Sequence, residues 1–190
     1  MELLAPAGSR KALTAAVQSG AEAVYLGGPQ FGARYSAENF TIEEMKTWVD
    51  YCHLYGVDVH VTVNTLVKEK EIESLKEYLK QLNEIGVDAL IVQDMGAVEI
   101  IKKTVPDMTL HASTQMTVTS LEGVKYLEDM GFSRVVLARE LSEKEIEHIC
   151  KNAKAEIEVF VHGAICMCYS GQCLMSSILG GRSGNRGRCA

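Results

Sequence analysis

The stretch that decides the fold is residues 57–94, VDVHVTVNTLVKEKEIESLKEYLKQLNEIGVDALIVQD. Valine occupies every second position of Val57–Val63, which predicts a β-strand. In Glu69–Ile85 apolar residues recur at intervals of three and four, which predicts an amphipathic helix. Gly86 follows as the left-handed residue that commonly ends a helix, and Ala89–Gln93 is a second short apolar run. The stretch therefore predicts a strand, a helix and a second strand parallel to the first.

The same unit recurs along the chain, with a glycine turn between each helix and the next β-branched run. The predicted strands are Glu2–Ala5, Ala23–Leu26, Val57–Val63, Ala89–Gln93, Thr109–Ala112, Val135–Ala138 and Ile157–Val161. Helices are predicted between successive strands, and a capping box of Thr41 and Glu44 opens one of them. Seven such units are one fewer than the eight of a TIM-type (β/α) barrel. We therefore predict an α/β fold, a TIM-type barrel that is incomplete in this chain.

An open doubly wound sheet is the alternative fold. Such sheets commonly carry a glycine-rich dinucleotide fingerprint after the first strand, and the segment APAGS at residues 5–9 has too few glycines for it. The strand patterns also favour the barrel. In residues 57–63 the valines alternate with Asp58, His60 and Thr62, whereas an open parallel sheet is normally apolar on both faces. One polar face suits a barrel lumen that opens into a polar site.

Composition limits the class of protein and its partners. The chain has 190 residues, of which 47% are hydrophobic and 23% charged, as expected of one globular domain. It has no apolar run of about 20 residues and no basic N-terminal region followed by an apolar one, so we predict no membrane partner and a cytoplasmic location. The net charge of −6 counts against nucleic-acid binding by this segment alone.

The composition changes abruptly near residue 163. No acidic residue follows Glu158, whereas Arg182, Arg186 and Arg188 do. We therefore divide the chain into a barrel body, residues 1–162, and a Cys/Gly/Arg-rich tail of the same domain, residues 163–190. Because seven strands are predicted and the last residue follows Cys189 directly, we expect the eighth strand to come from further sequence. We also expect the exposed sheet edges to favour self-association.

Polar side chains gather where the predicted strands end. They are Asn64, Gln93, Asp94, His111, Ser113, Gln115, Arg139, Glu140, Glu158 and His162. The carboxyl ends of the strands are where TIM-type barrels carry their chemistry. A single polar residue at such a place is most often a helix cap or a loop contact, but ten from five strands predict a shared functional mouth.

The tail concentrates cysteine in a glycine-rich sequence. Four of the six cysteines lie there: Cys166, Cys168, Cys173 and Cys189. This pattern predicts metal or redox chemistry, with zinc the weaker choice because Cys-x2-Cys spacing is missing. Cys166 and Cys168 are too close in sequence to bind one centre comfortably, so we expect an incomplete ligand set. Cys52 and Cys150 lie in predicted helices, where we interpret them as inert core residues.

Four motifs resemble one known family, peptidase family U32, the collagenase-like proteases. They are LLAPAG at 3–8, LHASTQMTV at 110–118, VVLARELS at 135–142, and the run from EVFVHGAIC at 158–166 through YSGQC to GGRSGNRGRC at 180–189. The resemblance implies a barrel-like fold. It also implies a 4Fe-4S cluster held by four cysteines, of which Cys166, Cys173 and Cys189 match the first three. The fourth would lie beyond residue 190, and Cys168 is outside the pattern.

The resemblance implies a function as well as a fold. Better-understood members of the family are oxygen-independent hydroxylases, and this sequence is most similar to the branch that modifies a tRNA or rRNA base with prephenate as hydroxyl source. We therefore expect an enzyme with an RNA partner, a 4Fe-4S cluster and prephenate as co-substrate. Peptidase activity and quinone-pathway hydroxylation are the alternatives. The sequence supports a peptidase weakly, since His162 and Cys166 have no evident third partner and no His-Glu-x-x-His motif occurs.

The resemblance also suggests roles at the mouth. A dianionic co-substrate suits the planar fork of arginine, and Arg34 and Arg139 are placed to bind it. Histidine or a partly desolvated glutamate is tunable towards neutral pH, so we expect His111, Glu140 and His162 to transfer protons. The alternatives are a structural ion pair for Arg139 with Glu140 and a solvated loop residue for Arg34. The other predicted substrate-binding residues are Asn64, Gln93, Ser113, Gln115 and Glu158.

Overall fold

A computed structural model describes residues 1–33, 37–164 and 166–189. Within these ranges the chain forms one curled parallel sheet whose strands lie in sequence order. The strands are β1 Leu4–Pro6, β2 Ala23–Gly27, β3 Asp58–Val63, β4 Ala89–Val92, β5 Thr109–Ala112, β6 Arg134–Val136 and β7 Glu156–Glu158. The helices are α1 Arg10–Gln18, α2 Ile42–Leu54, α3 Ile72–Ile85, α4 Met95–Thr104, α5 Leu121–Asp129, α6 Glu143–Asn152 and α7 Met175–Gly180. Short 3-10 turns occur at Glu69–Glu71, Thr114–Met116 and Gly184–Arg186.

The predicted incomplete barrel is confirmed. A helix follows each of the first six strands, every neighbouring pair is parallel, and the order does not reverse as it would in a doubly wound sheet. Strand bounds are less accurate. The seventh strand is Glu156–Glu158, whereas Ile157–Val161 was predicted, because Val159–Val161 continues the β-branched pattern without a partner strand among the described residues. A β-branched pattern therefore overestimates the length of a strand that pairs on one side only.

Local signals at helix ends are confirmed. The Oγ1 of Thr41 accepts the Glu44 amide at 3.2 Å and the Glu44 carboxylate accepts the Thr41 amide at 3.1 Å, so both halves of the capping box form. The helix predicted from residue 69 begins with a 3-10 turn and continues as α3. Gly86 ends α3 at φ 87°, a conformation that costs other residues a clash at Cβ.

The core lies between the sheet and its helices. Val59, Val61 and Val63 are fully buried on the helix side of β3, as their alternation predicted. Cys52 of α2 is a buried core residue as predicted, but Cys150 is exposed on α6. The prediction for Cys150 was wrong, because a place in an amphipathic helix does not tell which face a residue lies on when Ile149 beside it takes the buried position.

The tail folds back over the carboxyl ends of the strands. Near its start Ser170 hydrogen-bonds Arg139, just after β6. Near its end the Arg186 guanidinium binds both carboxylate oxygens of Glu71, at 2.7 and 3.2 Å, and the carbonyl oxygen of Leu66, all after β3. Two well-separated attachments therefore hold the tail across this end of the sheet. No helix in the described part of the chain is long and apolar enough to cross a membrane.

Candidate functional site

The strand register brings four of the predicted mouth residues into one layer. Val63, Val92, Ala112, Val135 and Ile157 are successive partners across β3 to β7. The next residue on four of these strands points to the opposite, lumen side. Those lumen residues are Asn64, Gln93, Ser113 and Glu158. The Asn64 Nδ2 donates to the Ser113 Oγ at 3.2 Å, which joins the ends of β3 and β5 directly.

Two histidines lie deeper in the lumen. His60 of β3 and His111 of β5 are 3% and 4% exposed, and their ring centroids are 4.6 Å apart in an edge-to-face arrangement. His111 was predicted as a site residue, whereas His60 was not. The signal for His60 was present, because it alternates with valines that face the helices.

Arg134 is a functional candidate that sequence reasoning missed. Its guanidinium binds both carboxylate oxygens of Glu2, at 2.7 and 2.8 Å, and its Nε donates to Glu156 at 2.8 Å. The carboxylate of Glu158 is 3.7 Å from Nη1. Glu2 is 132 residues from Arg134 in sequence, so no local pattern could have indicated the pair.

Burial determines the protonation states of the titratable side chains in the lumen. It lowers the pKa of His60 to about 4, and that of His111 to about 3 with further repulsion from His60 and Arg134, so both imidazoles are neutral at pH 7. Burial raises the pKa of Glu158 to about 7, against the attraction of Arg134. Glu158, which was predicted to bind substrate, is thus the residue tuned to neutral pH, whereas His111, predicted for proton transfer, is not.

Several buried polar atoms at this end have no hydrogen-bond partner within the described residues. They are His60 Nδ1, His111 Nδ1, Gln93 Oε1, Gln115 Oε1 and Glu158 Oε2. Buried polar atoms are almost always paired, with protein, water or ligand. Five such atoms around one lumen indicate a place built to receive polar groups. Of these five residues, only His60 was not predicted.

Arg139 and Glu140 attach the tail to the mouth. The Arg139 Nε donates to the Ser170 Oγ at 3.1 Å and its Nη2 to the Cys168 carbonyl at 3.1 Å. The Glu140 Oε1 accepts the Ser170 amide at 3.0 Å and lies 4.0 Å from the Arg139 Nη2. This arrangement matches the structural ion pair that was the alternative for these residues. Their roles in carboxylate binding and proton transfer stay predictions.

The tail also packs closely on the segment after β5. Thr117, at φ 57°, donates to the Ser170 carbonyl at 2.6 Å and accepts from Gln172 at 3.0 Å. A β-branched residue at positive φ is a true outlier, which persists only where surrounding contacts hold it. A Cβ at Gly171 would lie 2.1 Å from the Gln115 carbonyl oxygen, so this turn requires glycine.

Three of the tail cysteines interact. The Cys168 amide, followed by the Arg139 side chain, donates to Cys166 and lowers the pKa of that thiol, while Cys168 and Cys173 hydrogen-bond each other. Thiolate chemistry therefore fits Cys166. The residues do not assemble a metal site as they stand, since the described part of the chain has no three His, Cys, Asp or Glu side chains arranged around one ion. The ligand set Cys166, Cys173 and Cys189 stays a prediction.

The remaining predicted residues are not part of this cluster or cannot be placed. His162 is exposed, four residues beyond the end of β7. Asp94, at the predicted mouth, is the N-cap of α4 and also accepts the Val67 amide at 2.9 Å, which makes it a structural residue. Arg34 lies outside the described residues.

The fold and site define a TIM-type α/β protein whose strand-end mouth lies under a cysteine-bearing tail. A solved structure of a U32 peptidase has the same fold, with a TM-score of 0.69 and 20% sequence identity, covering 84% of this chain and 68% of that one. The family profile of peptidase family U32 matches residues 8–190. The chain belongs to peptidase family U32.

Two relatives are similar over essentially the whole chain. One is the 23S rRNA 5-hydroxycytidine C2501 synthase of Escherichia coli (strain K12), 45% identical over 190 residues. The other is the tRNA hydroxylation protein P1 of Bacillus subtilis (strain 168), 40% identical over 188 residues. They match 100% and 99% of this chain, which spans only 28% and 44% of their own lengths.

Proposed function

We propose that this chain is the N-terminal catalytic part of an enzyme that hydroxylates a base of tRNA or rRNA. The observation that carries the proposal is the similarity to two named RNA hydroxylation proteins, at 45% and 40% identity across the whole chain. The RNA substrate, the catalytic role and a cytoplasmic location are part of this proposal. Because the body is acidic, we expect Arg182 and Arg188 of the tail to supply phosphate contacts, together with other parts of the protein.

The mouth offers polar groups that suit this reaction. Asn64, Gln93 and Ser113 present amide and hydroxyl groups that hold and orient a small polar substrate. Asn64 and Ser113 are buried, and a hydrogen bond in such surroundings is stronger than one in water. We keep prephenate as the proposed co-substrate. Oxygen-independence follows from a hydroxyl group supplied in this way.

We also propose that Cys166, Cys173 and Cys189 contribute ligands to a 4Fe-4S cluster, which would supply redox chemistry. The proposal is supported by the lowering of the Cys166 pKa through the Cys168 amide and Arg139, and by the contact between Cys168 and Cys173. No step of the reaction is derived through the cluster, because the described cysteines do not converge on one centre.

The test is the nucleoside composition of cellular RNA. The natural full-length protein is expressed in a bacterial host that lacks its own RNA hydroxylation proteins, and tRNA and rRNA are digested separately for mass spectrometry. We expect one hydroxylated pyrimidine in one of the two pools. The Cys173→Ser variant should lose the iron–sulfur absorption, whereas Cys52→Ser and Cys150→Ser should keep it.

The alternative functions have their own outcomes in this test. Cleavage of gelatin by the purified protein, with unmodified tRNA and rRNA, would contradict the proposal and favour a peptidase. Loss of quinones on deletion of the gene, with unchanged RNA, would favour the quinone pathway. An unchanged absorption spectrum in the Cys173→Ser variant would exclude Cys173 as a ligand.

A further inference from the structure

We propose that Glu158 is the proton-bearing side chain of the mouth, and that it donates a hydrogen bond to an uncharged oxygen, a hydroxyl or carbonyl group, of the small substrate. The inference deepens the proposed function and rests on it for the identity of the reaction. It assigns to burial and to the nearby carboxylate of Glu2 the task of keeping Glu158 neutral, against the attraction of Arg134.

Arg134 is already bound by two carboxylates other than Glu158. Glu2 occupies one N–H of Nη1 and one of Nη2, and Glu156 occupies Nε and the second N–H of Nη2. Two carboxylates therefore already outweigh the single positive charge. Glu158 is left at 3.7 Å from Nη1, beyond hydrogen-bond distance. Burial leaves the Glu158 carboxyl poorly solvated, and Glu2 repels a negative charge there, so Glu158 retains a proton.

The surroundings of Glu158 offer no acceptor for its proton among the described residues. Its Oε2 is buried and has no partner within the described residues. A protonated carboxyl group has one O–H to donate, and leaving it without an acceptor is costly in a buried place. The side chain is in the register layer of Asn64, Gln93 and Ser113, so an acceptor bound at the mouth lies within its reach.

The charges facing this position select the class of ligand. From β3 and β5 the imidazoles of His60 and His111 face the lumen uncharged, and from β6 Arg134 is already paired with two carboxylates. A ligand carboxylate placed here would be repelled by Glu2, and the positive charge of Arg134 is already shared by two carboxylates. A neutral oxygen accepts the Glu158 proton without that repulsion.

The first experiment needs no substrate. The protein is labelled with 13C at the side-chain carboxyl of glutamate, and the NMR resonance lost in Glu158→Gln is followed from pH 4 to pH 9. We expect a midpoint near pH 7. In Glu2→Gln the amide oxygen still accepts from Arg134, but the repulsion that the Glu2 carboxylate exerts on Glu158 is gone, so the Glu158 midpoint should fall by about one pH unit. A Glu158 midpoint near the ordinary 4.5 would overturn the inference, and so would a midpoint unmoved by Glu2→Gln.

The second experiment tests the hydrogen bond to substrate, with prephenate as the probe. If only the protonated form binds, the wild-type KM for prephenate should rise about fivefold from pH 7 to pH 8. Glu158→Gln carries an amide that donates at every pH, so its KM should stay constant over that range. Glu147→Gln, on the exposed face of α6, is the matched control and should follow the wild type.

The two experiments separate the two proposals. If the wild type hydroxylates no RNA, the proposed function fails, while the NMR titration still decides the state of Glu158. If the wild type is active and Glu158→Gln keeps the wild-type rise in KM, Glu158 does not donate to the substrate and the inference fails alone.

Discussion

At the residue scale, the neutral imidazoles of His60 and His111 determine how the protein responds to acid. The unfolded chain takes up a proton on each imidazole as the pH falls below about 6.5, while the folded protein keeps His60 neutral to about pH 4 and His111 to about pH 3. The unfolded state therefore binds more protons in this window, and the free energy of unfolding falls with the pH. Glu158 acts in the opposite direction between about pH 4.5 and 7.

The histidine contribution is measurable by urea unfolding at several pH values between 7 and 4.5. We expect each histidine to account for about 1.4 kcal/mol of stability lost per pH unit below 6.5. The double variant His60→Gln/His111→Gln should lose less stability on acidification than the wild type, since Glu158 is common to both. The exposed His148→Gln serves as the control. Parallel curves for the double variant and the wild type would contradict the assignment.

Gly171 is the second residue whose substitution should have a well-defined effect. Gly171→Ala combines a positive φ with a Cβ placed 2.1 Å from the Gln115 carbonyl, whereas Gly20→Ala has the positive φ and nothing within 4 Å. The control should lose about 1 kcal/mol of stability and keep the tail in place. Gly171→Ala should also detach the tail, seen as faster amide hydrogen exchange in residues 168–173. Equal exchange in the two variants would show that this contact does not hold the tail.

At the scale of elements, the tail is held by side chains rather than by strand pairing. Ser170 is 2% exposed and links Arg139, Glu140 and Thr117, so one small hydroxyl residue joins the segments after β5 and β6 to the cysteine loop. Arg186 with Glu71 forms the second attachment. Side-chain contacts therefore attach the cysteine loop to the segments that follow β3, β5 and β6.

Removing the Ser170 hydroxyl should loosen the loop without unfolding the body. Ser170→Ala removes the hydrogen bond from the Arg139 Nε, at a cost of about 1 kcal/mol because water can replace the hydroxyl at this partly exposed side chain. We expect faster proteolytic cleavage near residue 170 and an unchanged far-UV circular dichroism spectrum. Ser177→Ala, which removes a hydrogen bond between exposed residues of the tail, is the matched control. Cleavage of Ser170→Ala at the wild-type rate would indicate that the Ser170 hydroxyl does not hold the tail.

At the scale of the whole molecule, Arg134 connects the two ends of the sheet. β1 and β7 are the edge strands, and Arg134 of β6 reaches Glu2, just before β1, as well as Glu156 of β7. The tie spans the side of the lumen where β1 and β7 do not pair with each other. The self-association expected from these edges stays a prediction that sedimentation tests directly.

Breaking this tie should be costly. Arg134→Met leaves Glu2 and Glu156 without their shared cation, and because both carboxylates are partly exposed to water we expect a loss of about 1–3 kcal/mol in the free energy of unfolding at pH 7. The loss should shrink only as the pH falls below about 4.5, because Arg134 lowers the pKa of Glu2 and the Glu2 contribution is lost as the pH falls through that lowered value. Arg10→Met, which breaks a solvent-exposed pair with Glu44, should cost about 1 kcal/mol or less. A similar cost for the two variants would show that the lumen network does not stabilise the fold.

Much of the fold and part of the site were predictable from local sequence. Strand parity in residues 57–63, the spacing of apolar residues in α3, the Thr41 capping box and Gly86 each act within a few residues, and each was confirmed. The layer of Asn64, Gln93, Ser113 and Glu158 was also predictable, because parallel strands in sequence order bring their carboxyl ends together.

The protonation and pairing of the site were decided by the tertiary structure alone. Glu158 and Glu156 lie two positions apart on one strand, yet the Glu158 Oε2 is buried without a hydrogen bond, whereas Glu156 is exposed and hydrogen-bonds Arg134. Burial and charge balance depend on what β1, β3 and β5 bring to the same place, and Glu2 is 132 residues from Arg134. Local spacing determines which way a side chain points, whereas its pKa and its partners depend on distant segments that meet only in the folded chain.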